Sequence, residues 1–216
     1  MGINKTYAVL GLGRYGTAVA RELAADGADI IAVDINEEIV NELATEIPLC
    51  KCADITDPEA MRQLGIANID IAVIAMASNL EASVMAVMLC KEAGVKTVVA
   101  KCASEMHRKI LSKVGADKVV LPEYESGIRL AKNLLSSGFV DILELTSNVS
   151  LVEIAVKPEW VGQNLIELNL RKKYSINVIA IQQDNDVTTE IDPNKPLEQT
   201  MKLIVVANRN KLEKLR

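Results

Sequence analysis

Short apolar runs alternate with helical stripes through the first 121 residues. Thr6–Gly11, Ala28–Asp34, Leu49–Ala53, Ile69–Ala75, Thr97–Lys101 and Lys118–Leu121 read as six strands. Most are unbroken Val, Ile and Ala, the pattern of strands buried on both faces. Helical segments fall near 14–26, 36–46, 58–64, 79–93 and 104–114. In the fourth, Leu80, Val84, Val87 and Met88 form one stripe. Asp57 before Pro58 reads as an N-cap followed by a proline in the first helical turn. Strand–helix alternation of this kind predicts an α/β fold with a doubly wound parallel Rossmann sheet of six strands.

Past Leu121-Pro122 the pattern changes. Glu123–Ser136 carries Ile128, Ala131, Leu134 and Leu135 as the stripe of a single helix, broken at Ser136-Ser137-Gly138. A strand-like run, Phe139–Leu145, follows. A boundary near residue 140 separates a domain of residues 1–140, which includes this crossover helix, from a small α+β lobe of residues 141–216. The lobe reads as strand (149–157), helix (163–173), strand (177–183), the polar turn Asp184-Asn185-Asp186, strand (187–191), a loop with Pro193 and Pro196, and strand (202–207). A unit of roughly 70 residues is marginal alone and gains by pairing with a second copy.

Gly11-Leu12-Gly13-Arg14-Tyr15-Gly16 follows the first strand and opens the first helix. In such a loop the first glycine permits the tight turn and the second lets backbone approach a pyrophosphate. The third lets helix and sheet pack closely, and the helix N-terminus supplies N–H donors to the anion. Asp34 ends the second strand roughly twenty residues on, where a carboxylate accepts ribose hydroxyls and repels a 2′-phosphate, so NADP is disfavoured. Asp54, after the third strand, either accepts from an adenine amino group or caps its turn. Asn36 and Ile55, close to the two acids, are assigned to the same cleft. Lys101 closes the fifth strand and either reaches phosphate or stays solvated. Arg14 adds a fixed cation inside the loop. The backbone donors already serve a dinucleotide's two phosphates, so an added cation favours ADP or ATP over NAD. A solvated arginine is the alternative.

The chain has 216 residues, with 24 Lys and Arg against 29 Asp and Glu, a net charge of −5. That balance speaks against a general nucleic-acid binder. The longest apolar run, Ile71 to Ala77, is far short of the ~18–20 residues that span a bilayer. The N-terminus enters a strand without a charged-then-apolar leader, which predicts a soluble cytoplasmic protein. Cys50-Lys51-Cys52 has no matching second pair, so core packing is expected of the cysteines. His107, the only histidine, sits in a polar helix start and is expected at the surface. Tyr124 and Tyr174 have no lysine at the spacing of a short-chain reductase. No proton donor, nucleophilic triad or metal constellation is recognisable. A small NAD-dependent oxidoreductase would need such a donor. An NADH-sensing repressor would need a helix-turn-helix, and neither terminus provides one. A nucleotide-binding scaffold remains open.

Gly11–Gly16 with Arg14, Val33-Asp34, Ala53-Asp54 and the stretch from Gly94-Val95 to Lys101 resemble the RCK domain (regulator of potassium conductance). More narrowly, they resemble the cytoplasmic regulatory subunits of bacterial Ktr/Trk potassium-uptake systems. Leu151–Val206, with Pro158–Leu165, is similar to the C-terminal lobe of that family. The resemblance implies homodimers assembled into an octameric ring under an integral membrane potassium-transporter subunit. It implies ATP/ADP exchange in the Rossmann crevice, with NAD or NADH as alternatives, and no catalysis. Arg14 would then meet the terminal phosphate. Glu123 would approach a partner's nucleotide and help hold a divalent cation, or else simply stabilise its helix N-terminus. The C-terminal lobe of several relatives binds cyclic di-AMP between two copies. The matching residues here are Ile166, Arg171, Ile176, Asn177, Val178 and Pro193. In that site Arg171 would pair phosphate, Asn177 would read an adenine edge, and Ile166 and Ile176 would sandwich the base. The alternative is an ordinary helix C-terminus leading into a strand.

Overall fold

A computed structural model of the chain describes residues 5–135, 139–144, 149–184 and 186–208. The first unit, Met1–Glu123, is built by strand–helix alternation. Its strands are β1 (Thr6–Leu10), β2 (Asp29–Asp34), β3 (Cys50–Cys52), β4 (Ile71–Ile74), β5 (Thr97–Lys101) and β6 (Lys118–Val120). They form one parallel sheet in the order β3-β2-β1-β4-β5-β6. The helices are α1 (Arg14–Ala25), α2 (Glu37–Leu43), α3 (Pro58–Gln63), α4 (Leu80–Glu92) and α5 (Glu105–Val114). The strand order reverses between β1 and β4, which opens a crevice at the carboxyl ends of the strands.

The unbroken apolar runs have a structural reason. Successive side chains of a strand face opposite ways, so each central strand feeds two cores. Ala8, Leu10, Ile31, Val33 and Ile74 belong to one, while Val9, Ile30, Ala32 and Val73 belong to the other. Four helices begin at a side-chain cap. Asn36 accepts from the Glu38 N–H, Asp57 from Glu59, Asn79 from Ala82 and Ser104 from His107.

Two surface and core expectations need correction. His107 is only 6% exposed, because on α5 it shares the inward face with Leu111 four residues on. Its Nδ1 accepts from the Ala103 N–H at 3.4 Å, and burial pushes its pKa down. Core packing holds for Cys90 and Cys102, and burial raises the Cys90 thiol to about 12. It does not hold for Cys52, which lies exposed on the edge strand β3 and donates to the Ile35 carbonyl at 3.4 Å. An edge strand has no neighbour to cover it.

The second unit, Tyr124–Arg216, includes all but the first two residues of α6 (Pro122–Leu135). On α6, Ile128, Leu130 and Leu134 are exposed. The expected break at Ser136-Ser137-Gly138 lies outside the described residues. A five-stranded antiparallel sheet follows, in the order β10-β9-β11-β8-β7. Its strands are β7 (Phe139–Glu144), β8 (Val149–Ala155), β9 (Ile176–Gln183), β10 (Asp186–Thr188) and β11 (Met201–Asn208). The helix expected over 163–173 is two short ones, α7 (Leu165–Leu168) and α8 (Leu170–Tyr174). Asn169 separates them at φ +45°. In one continuous helix, Leu168 and Leu170 would point to nearly opposite sides. The left-handed residue between them lets both enter the core beside Trp160, Ile176 and Leu203.

Candidate functional site

The glycine loop lies between β1 and α1, at the crevice. Gly11 has φ +95°, a conformation open to glycine, and its N–H donates to the Val33 carbonyl at 2.8 Å. A Cβ on Gly16 would enter the van der Waals envelope of the Gly11 carbonyl oxygen and lie 2.9 Å from the Ala75 Cβ. Gly13, the N-cap of α1, has open space where its Cβ would be. Unlike α2 to α5, α1 has no side-chain cap and no acid in its first turn. Among the described residues no capping side chain accepts from its leading N–H groups, where the positive end of its dipole lies.

Asp34 ties the loop down. Its Oδ2 accepts from the Leu12 N–H at 2.6 Å and its Oδ1 from the Asn36 N–H at 2.8 Å. Each carboxylate oxygen retains a further lone pair. Beside it lies a cavity of about 250 Å³ lined by Gly11, Asp34, Ile35, Asp54, Ile55 and Asn79, among others. Asp54 serves its turn through Oδ1, which accepts from both the Thr56 N–H and hydroxyl. Those bonds hold its carboxyl below the usual range. Its Oδ2 has no partner among the described residues.

The remaining expected residues fall elsewhere. Asn36 spends its side chain capping α2. Leu12 is buried, and with the exposed Arg14 it borders a separate depression of about 380 Å³ between α1 and α2. Lys101, Glu123 and Tyr15 come together instead. The Lys101 ammonium lies 2.6 Å from Glu123 Oε1 and 5.6 Å from the centre of the Tyr15 ring. With a lysine on its carboxylate, Glu123 is a poor start for a cation site. No group of three His, Cys, Asp or Glu suited to a metal occurs among the described residues. Ile35, Met76 and Asn79 were missed as cleft residues. Asn79 caps α4, and Ile35, 68% exposed, directly follows Asp34.

In the second unit, Ile166, Arg171, Ile176, Asn177 and Val178 line one depression of about 440 Å³, with Leu165, Asn169 and Leu170. Pro193 is not part of that lining. Ile166 is 59% exposed, whereas Ile176 is buried and forms part of the floor.

A doubly wound sheet with an uncapped glycine-loop helix, followed by a small antiparallel lobe with its own depression, defines a two-part chain built on a Rossmann-type domain. Residues 7–122 match the TrkA-N domain and residues 149–216 the TrkA-C domain. The chain belongs to this TrkA-N/TrkA-C family, the RCK-type regulatory subunits of Ktr/Trk potassium uptake. It is 36% identical to the Ktr system potassium uptake protein C of Bacillus subtilis over 206 residues, covering 95% of this chain and 93% of that one. It is 34% identical to the Ktr system potassium uptake protein A of Vibrio alginolyticus over 209 residues, covering 97% and 95%. In fold it is similar to the GsuK channel, with TM-score 0.70 at 16% identity, covering 98% of this chain and 39% of that one. A GsuK channel bound to NAD superposes with TM-score 0.65 at 15% identity, covering 97% and 38%. The chain thus spans about two fifths of the solved channels it matches. Among the described residues no helix is long and apolar enough to cross a membrane.

Proposed function

We propose that this chain is a nucleotide-sensing gate for a membrane potassium-transporter subunit, acting from the cytoplasmic face as a homo-oligomer. The observation that carries this reading is the cavity at Gly11, Asp34 and Asp54 beside the uncapped start of α1. An adenosine fits its mixed lining, with Asp34 on the ribose and the α1 N–H groups on the phosphates. ATP and ADP are the favoured ligands, with NAD or NADH the alternative. The family membership and the exposed Ile128, Leu130 and Leu134 of α6 support assembly into dimers and then an octameric ring.

The work done is a population shift. A ligand moves an assembly only by its difference in affinity between two states. ATP and ADP differ by one phosphate, and Arg14 is exposed, with no partner among the described residues. It is assigned to that phosphate at a boundary between copies. The scheme requires binding and release alone, in keeping with the potassium uptake proteins the chain resembles.

Calorimetric titration of ATP, ADP and NADH, with sedimentation of the same samples, tests the reading. ATP and ADP should bind, and the assembly should sediment differently with each. Arg14→Ala should pull the ATP/ADP affinity ratio toward unity by roughly tenfold, the worth of a lost charged hydrogen bond. An unchanged ratio would remove Arg14 from the scheme.

The lobe is assigned cyclic di-AMP as an inhibitory second ligand, bound between two copies. The depression lined by five of the six expected residues supports this. Arg171→Ala should weaken cyclic di-AMP binding by about 10–100-fold and leave ATP binding unchanged. Parallel titrations of both ligands decide it, and undiminished cyclic di-AMP binding would place that ligand elsewhere.

A further inference from the structure

We propose that Asn79 makes the cleft selective for adenine: while its Oδ1 caps α4, its Nδ2 donates to N3 of the bound base. This rests on the nucleotide reading above and adds to it a residue that reads the base.

The helix cap fixes the amide. Asn79 Oδ1 accepts from the Ala82 N–H at 3.1 Å, which makes the other end of the side chain an NH2 with two hydrogens to donate. That NH2 has no partner among the described residues, and Asn79 lines the cavity beside Asp34. Its support is rigid. Ser83, fully buried in the first turns of α4, shares its hydroxyl between the carbonyls of Asn79 at 2.9 Å and Met76 at 3.2 Å. The loop from β4 to α4 is thereby tied to the helix, and little ordering remains to be done when a ligand arrives.

The strand order sets the complementary group opposite. The run β3-β2-β1-β4 puts Asp54, after β3, and Asn79, in the loop after β4, on opposite sides of the cavity, with Asp34 and Gly11 between them. One side offers a free acceptor, Asp54 Oδ2, and the other a free donor, Asn79 Nδ2. Ile35, Ile55, Met76 and Ala82 supply apolar lining for the faces of a flat ring. Adenine carries its polar groups in the matching arrangement. Its amino group, on C6, stands directly across the six-membered ring from N3. With the amino group on Asp54, N3 turns to Asn79. Guanine fails at both ends: O6 would face the Asp54 carboxylate, and the amino group beside N3 would face the Asn79 NH2. Each mismatch sets acceptor against acceptor or donor against donor and leaves the protein group unpaired.

Calorimetry of the full chain with ATP, GTP and two ATP analogues tests this. The parent should bind GTP about 100-fold more weakly than ATP, and 3-deaza-ATP, which has C–H in place of N3, about tenfold more weakly. It should bind 7-deaza-ATP as it binds ATP. Asn79→Ser keeps a capping oxygen on α4 but withdraws the NH2. It should weaken ATP and 7-deaza-ATP by about tenfold and close the gap between ATP and 3-deaza-ATP. Asn79→Asp, which keeps both shape and cap, should close the same gap and covers the case in which the serine variant fails to fold. The gap is a ratio between equally charged ligands, so the new carboxylate does not disturb it. Equal binding of ATP and 3-deaza-ATP by the parent overturns the proposal, as does a gap that persists in the variants or a parent that binds GTP as tightly as ATP. If the unsubstituted chain binds neither ATP nor ADP, the nucleotide reading itself falls. Binding of ATP without these differences removes only the role of Asn79.

Discussion

Gly16→Ala is expected to cost about 3 kcal/mol or more of stability, because the added methyl meets backbone that cannot step aside. The new Cβ would overlap the Gly11 carbonyl oxygen and press on Ala75 at the end of β4. Relief requires α1 to lift from the sheet, which opens the core at Leu12 and Ala20. In a unit of this size the melting temperature should fall by roughly 6–12 °C. Gly13→Ala provides the contrast. Gly13 has φ −65°, which alanine adopts freely, and its Cβ would enter empty space. That variant should melt within about 2 °C of the parent. It should still lose adenine-nucleotide affinity by about tenfold or more, because the methyl intrudes where phosphate approaches the helix N–H groups. Thermal melts and calorimetry on both variants separate folding from binding. Normal ATP binding by Gly13→Ala would mean that no phosphate approaches this turn.

Asp34→Asn should lower the affinity for ATP, ADP and NAD together by about 100-fold. Both oxygens of Asp34 accept backbone N–H groups, from Leu12 at 2.6 Å and Asn36 at 2.8 Å. An asparagine amide presents one oxygen and one NH2, so whichever way it turns, one N–H faces another donor. The loop loses its anchor while the ribose loses a charged acceptor. A uniform loss across the three ligands is the signature, since the ribose is common to all of them. Arg14→Ala, by contrast, should change the ratio between them. Titration of Asp34→Asn with each ligand checks this, and affinity within about twofold of the parent would show that the ribose is held elsewhere.

The glycine loop was legible because its demands are local. A turn at φ +95°, a helix start without a cap and an acid at the end of the next strand all leave residue types at fixed spacings. Lys101 and Glu123 were legible only as separate candidates. Their meeting depends on β6 pairing with β5, and no spacing within the chain announces that partner. Arg14 shows the converse: its place in the loop was plain, but its side chain borders the depression between α1 and α2, and not the cleft. His107 looked polar by its neighbours, although the rotation of α5 placed it with Leu111 in the interior.

By itself, the sequence determined the alternation of strands and helices, the parallel sheet and the glycine turn that opens α1. These follow from burial on two faces and from backbone geometry, both written in residue type and period. The tertiary structure alone decided which charges neighbour one another, where α7 yields to α8 and which acceptors remain free at the cleft. Those outcomes depend on strand register and helix rotation, which join residues far apart in the chain and leave no periodic trace in it.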